Sequence, residues 1–117
     1  MHIVQVGYDR WNAMSTVQKL ENAEIECVEI RQHSSVLHPA TKLLKESILG
    51  RRFAYEQNRL LEINFQNARC TRDTNMNMYV NKKRSAGKVD MVVALINAVH
   101  LLQQEVLYGQ CNFVVQT

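Results

Sequence analysis

The chain has 117 residues and a formal charge of +3, from 14 Lys+Arg against 11 Asp+Glu, with 46% hydrophobic and 21% charged residues. That length supports one small domain around a single core, and the composition is neither disordered nor fibrous. A nucleotide-hydrolysing motor joined to a second catalytic domain does not fit in it. The charge surplus is mild but concentrated: between Arg69 and Lys88 six basic residues (Arg69, Arg72, Lys82, Lys83, Arg84, Lys88) stand against one acid, Asp73.

In chain order, Ile3 to Tyr8 is rich in β-branched and aromatic residues and stops at Asp9, which predicts a buried strand. Trp11, Met14, Val17 and Leu20 recur at three-residue spacing and predict one face of a helix over residues 11–22. A second short strand is predicted over Ile25 to Ile30, giving a strand-helix-strand unit of the parallel, right-handed kind. A polar loop follows over Gln32 to Leu37. Pro39 then suits the first turn of a helix, whose apolar face is Leu43, Leu44, Ile48 and Leu49 before Gly50. A weaker helical piece is predicted over Leu60 to Ala68, a polar turn over Thr71 to Asn77, and a short strand at Met78 to Val80. The basic loop Asn81 to Gly87 leads into the strongest helix, Lys88 to Leu107. It is apolar almost all round, with one polar stripe of Asp90, Asn97 and Gln104 at seven-residue steps.

Cys27, Cys70 and Cys111 are odd in number and widely spaced, which predicts free thiols rather than a zinc site or a disulfide framework. The longest nearly apolar run, Met91 to Leu102, has 12 residues and contains Asn97 and His100. It is too short to span a bilayer. No secretory leader pattern precedes the first strand, so a soluble cytoplasmic protein is expected. The four histidines show no ligand spacing, and motifs of serine hydrolases, nucleotide motors and zinc proteases do not occur.

Two acids stand at places where chemistry gathers. Asp9 lies where a buried strand gives way to a crossover helix, the rim at which α/β sheets bind ligands. An aspartate there also suits a helix cap. Asp90 opens the apolar helix directly after the basic loop, where the helix dipole alone already favours a carboxylate. If both acids share one rim they suit Mg²⁺ or Mn²⁺, which take hard oxygen ligands and keep waters for a substrate phosphate. A pair of such ions about 4 Å apart clamps the attacking and leaving oxygens of a phosphodiester. Lys82, Lys83, Arg84 and Lys88 would steer and hold a polyanion backbone, mostly without reading sequence, unless the loop is simply solvated.

The run Gly7-Tyr8-Asp9-Arg10-Trp11-Asn12-Ala13 resembles the tyrosine-aspartate, tryptophan-asparagine-alanine segment of phage terminase large subunits. The run Lys82-Lys83-Arg84-Ser85-Ala86-Gly87-Lys88-Val89-Asp90, followed by Val92-Val93-Ala94-Leu95, resembles that family's lysine-isoleucine-aspartate helix start. Arg31-Gln32 and Asn67 fall in matching order, and the likeness runs from Val4 to about Leu102. It implies the carboxy-terminal nuclease domain, with a ribonuclease H-like mixed sheet flanked by helices. It also implies cleavage of concatemeric viral DNA in the cytoplasm of a bacterial host, beside a DNA-driving ATPase domain, a small terminase subunit and a portal. Asp9 and Asp90 match two of the family's three metal-binding acids.

The family's first acid lies on an earlier strand, which this sequence lacks ahead of Asp9. Residues 1–117 are therefore expected to form a partial nuclease domain without the first strands of the fold, weakly active or inactive alone. Nothing in the spacing of Glu26, Glu29 or Asp73 makes any of them a substitute. A missing central strand would expose a sheet edge and invite self-association. The rival reading is a non-catalytic DNA-binding or assembly module that keeps the fold and the basic loop.

Overall fold

The structure, a computed structural model, describes residues 2–9 and 13–116, with side chains as far as Leu107. Arg10, Trp11 and Asn12 lie outside the described residues, as do the side chain of Cys111 and any role for Trp11 on the first helix.

Strand β1 (Gln5–Tyr8), helix α1 (Met14–Asn22) and strand β2 (Glu26–Glu29) form the expected unit. The strands pair in parallel from Gln5↔Glu26 to Tyr8↔Glu29, and the Ile30 N–H extends the ladder to the Tyr8 carbonyl at 2.8 Å. Helix α1 ends in a Schellman arrangement. Ile25 N–H bonds the Leu20 carbonyl and Glu24 N–H the Glu21 carbonyl, both at 3.0 Å, while Glu24 takes the left-handed φ of 63° usually given to glycine. Gly7 marks the closest approach to the rest of the molecule: a Cβ there would collide with Ile30 and crowd Leu101.

Helix α2 spans Ser34–Leu49 and begins earlier than expected, so Ser34 to Leu37 is helix rather than loop and Pro39 sits in the second turn. The cap explains the difference. His33 Nδ1 accepts the Ser35 N–H at 3.1 Å, a task that sequence rules assign to Ser, Thr, Asp or Asn. The helix tolerates Pro39 although the residue removes one i→i−4 donor.

Helix α3 (Arg59–Asn67) is followed by strand β3 (Cys70–Arg72) and strand β4 (Met78–Val80). These last two form an antiparallel hairpin in the register Cys70↔Val80, Thr71↔Tyr79, Arg72↔Met78. Strand β3 was not expected, since the segment from Thr71 reads as turn. Three residues with no apolar alternation become a strand only through this partner. Helix α4 spans Asp90–Gln116, and its Val92 and Ile96 are buried. The expected combination of parallel and antiparallel strands is present, among the described residues as two separate ribbons, one parallel and one antiparallel.

The core lies between α2 and α4, where Ala40 and Leu44 meet Val92 and Ile96. Phe65 of α3 and Val80 of the hairpin pack around this cluster. Fully burying a side chain such as Leu44, Val92 or Ile96 contributes roughly 1.5–3 kcal/mol relative to exposure. The hairpin is pinned to α2 twice. Met78 N–H donates to His38 Nδ1 at 2.7 Å, and the Ser34 hydroxyl donates to Asp73 Oδ2 at 2.5 Å.

Asp73 organises the turn between the hairpin strands, accepting the N–H groups of Asn75 at 2.8 Å and Asn77 at 2.9 Å. The Ser34 hydroxyl first, and then the Asn77 N–H, favour the charged carboxylate and hold its pKa down at about 2, from an ordinary 3.8. A depressed carboxyl stabilises the fold above its unfolded pKa, and that contribution is lost as pH falls from about 4 towards 2. Thermal melts should therefore show wild-type Tm dropping across this window. Asp73→Asn should melt lower at pH 7 and flatten that part of the profile; an unchanged slope would remove Asp73 as the cause.

Candidate functional site

Asp9 follows β1 directly, at the carboxyl end of the parallel pair. It does not cap α1, whose N-cap is Ala13 with no side-chain cap bond. Instead, Asp9 lines a cavity of about 320 Å³ together with residues from four other segments. Gln32 comes from the loop after β2, Ser34 and Thr41 from α2, Tyr79 and Lys82 from β4 and its exit, and Asn97 from α4. The Gln32 amide bridges two of these walls, donating to the Ile30 carbonyl and to Asn97 Oδ1, both at 3.0 Å.

Asp90 is exposed at the first helical residue of α4 and is not among the residues lining the cavity. It stands one turn before Val93, which does line it, or about 4.5 Å along the axis at 1.5 Å per residue. Its place is set from α3. Asn64 is 3% exposed; its Nδ2 donates to the Leu60 carbonyl at 2.9 Å, and its Oδ1 accepts the Met91 N–H at 3.2 Å. One otherwise orphaned donor of the helix start is thereby satisfied. Asn67 Nδ2 holds the Lys88 carbonyl at 3.0 Å. That amide occupies the space a Cβ on Gly87 would need.

The basic segment is a turn built on one side chain. Asn81 Oδ1 accepts the N–H groups of Lys83 at 3.1 Å and Arg84 at 3.2 Å. The Ser85 hydroxyl donates to the Asn81 carbonyl at 2.7 Å and accepts the Arg69 N–H at 3.2 Å. Lys82, Lys83, Arg84 and Lys88 are all exposed. Among the described residues the one ion pair is elsewhere, Arg59 with Glu62 at 3.9 Å. Of the four cations expected to meet DNA, the cavity gathers Lys82 beside Asp9, while Lys83, Arg84 and Lys88 lie outside its lining.

Among the described residues no three His, Cys, Asp or Glu side chains gather as a metal-binding group. Asp73 is committed to Ser34 and its own turn, and Glu26 and Glu29 are exposed on β2 outside the cavity lining. The donors around Asp9 are carboxylate, hydroxyl and amide oxygens. That set suits a hard, partly hydrated cation held by one or two carboxylates, and does not make a three-carboxylate cage.

The sequence singled out Asp9, Asp90 and the basic turn as candidates and noted Gln32 only beside Arg31, whereas nothing in it pointed to Asn64 or Tyr79. Asn97 carried a signal as a member of the polar stripe on α4. A second cavity of about 400 Å³ opens into the core between α2, α3 and α4, with Lys45, Arg69 and Cys70 in its lining. Burial raises the Cys70 thiol pKa, against the opposing charge effect of Lys45.

The family model of the terminase large subunit, endonuclease domain, matches residues 1–105. The chain belongs to that family. The crystal structure of the HK97 bacteriophage large terminase superposes with a TM-score of 0.75 at 21% identity, over 86% of this chain and 22% of that one. The α/β architecture is thus that of a terminase nuclease domain, and the chain spans about a fifth of the length of the HK97 protein. No curated protein sequence matches. No helix among the described residues is long and apolar enough to cross a membrane.

Asn64→Leu should remove the link between α3 and the start of α4. Loss of a buried hydrogen-bond partner costs about 1–3 kcal/mol, so a clear fall in denaturation midpoint is expected, whereas substitution of the exposed Gln66 should leave it unchanged.

Proposed function

We propose that this chain is part of a terminase nuclease domain acting in viral DNA packaging, whose parent reaction is metal-dependent endonucleolytic cleavage of concatemeric DNA. The observation that carries the reading is the family match over residues 1–105, joined to a cavity that holds Asp9 and Lys82 and adjoins the basic turn. Asp9 and Asp90 are the carboxylates that would hold Mg²⁺ or Mn²⁺. An ion of that kind polarises a phosphoryl oxygen and activates water.

The other work falls to the chain's own cations. Lys82, Lys83, Arg84 and Lys88 neutralise phosphates of duplex DNA and fix its position without reading bases. With two acids and no third beside them among the described residues, metal affinity is weak and the isolated chain cuts little or not at all. In a plasmid-nicking assay with Mn²⁺, little or no nicking is expected; robust cutting that survives Asp90→Ala would overturn the metal assignment.

Because no three-acid group occurs among the described residues, the second reading is a non-catalytic DNA-binding or assembly module. It predicts duplex binding that falls steeply with salt and ignores chelator. Replacing Lys82, Lys83 and Arg84 together with alanine should reduce the slope of log K against log salt by about three, close to one per cation. Chelator-sensitive binding favours the metal-dependent reading instead.

Further partners under the first reading are a small terminase subunit, a portal and a second copy of the chain, within the cytoplasm of a bacterial host. Self-association would use a ribbon edge, since β1 pairs only with β2 among the described residues.

A further inference from the structure

The cavity beside Asp9 contains chemistry that phosphate contact does not use. At about 320 Å³ it lies at the low end of the roughly 300–1,000 Å³ that accommodates small organic ligands. Tyr79 gives it an aromatic residue, and Val93 and Ile96 give it apolar surface. Opposite in character is the amide pair. Gln32 Nε2 uses both its protons, one on the Ile30 carbonyl and one on Asn97 Oδ1. Gln32 Oε1 and the Asn97 amide protons bond no described residue, so an acceptor and a donor stand side by side where two walls of the cavity meet. Lys82 belongs both to this lining and to the basic turn.

We propose that the cavity receives one unpaired nucleobase, turned out of a strand whose phosphates lie along Lys82, Lys83 and Arg84. This rests on the reading of the chain as a DNA-binding nuclease domain. Each part of such a nucleotide has a counterpart. An aromatic residue stacks on the face of any base, the acceptor-donor pair meets the alternating polar groups of its edge, and an ammonium meets the adjoining phosphate. A paired base inside a duplex presents neither its face nor its Watson–Crick edge, and it must first be unstacked. A base already unpaired avoids most of that penalty. The site therefore favours DNA that carries an unpaired nucleotide over fully matched duplex.

The test uses the full chain and two labelled duplexes of equal length and sequence, one matched and one with a single bulged adenine, compared by fluorescence anisotropy at several salt concentrations. The bulged duplex should bind about tenfold tighter, the size of effect expected from one stacked base. Tyr79→Phe should keep that ratio, and Tyr79→Leu should bring it to about one. Asn97→Leu, at a different wall, should also lower the ratio, which guards against a Tyr79→Leu variant that fails to fold. Equal wild-type binding to both duplexes, or a ratio that survives Tyr79→Leu in a folded variant, overturns the proposal and leaves the DNA reading standing. Absence of salt-dependent binding to either duplex overturns both.

Discussion

The packing of α2 against α4 is the constraint from which the other positions follow. Ala40 and Leu44 on one helix and Val92 and Ile96 on the other are almost fully buried, and every wall of the Asp9 cavity is attached to one of these two helices or to β1. The hairpin reaches the site because α2 holds it through His38 and Ser34. Strand β1 reaches it because Gly7 lets Leu101 of α4 come close. A loosened α2–α4 contact would let the acid, the amide pair and the cation drift apart together, which makes the core a condition of the site.

Polar side chains then set what the apolar core leaves undetermined. Asn64 fixes the start of α4 from α3, Asn81 shapes the turn after β4, and Asp73 shapes the turn before it. Each satisfies backbone donors that would otherwise be orphaned, so each positions main chain rather than meeting a ligand. The charged heads nearby are left available. Lys82, Lys83, Arg84 and Lys88 all face solvent, and the fold does not rely on them.

Much of this was legible in the residues. The β-branched runs at Ile3 to Tyr8 and Ile25 to Ile30 identified the parallel pair, and the apolar periodicity of residues 88–107 identified α4. The rim position of Asp9 followed from the strand's end. What stayed hidden depends on contacts distant in sequence. Strand β3 exists by pairing with β4, the Gln32–Asn97 bridge joins residues 65 positions apart, and Asn64 is buried because α3 packs on α4. The start of α2 was hidden for a local reason, a histidine in the cap position. Asp9 stands on a wall of the cavity and Asp90 at the helix start one turn before Val93 of the same lining.

The turn at residues 81–85 is held entirely by amide, hydroxyl and main-chain bonds, with no ion pair among its described residues. Mobile ions, whose screening reaches about 8 Å at physiological strength, weaken the pull of its ammonium and guanidinium heads on a polyanion but act little on neutral contacts of about 3 Å. Ionic conditions therefore grade how firmly the loop grips while its shape stays constant. A nucleic acid released by rising salt leaves behind a surface already set for the next encounter.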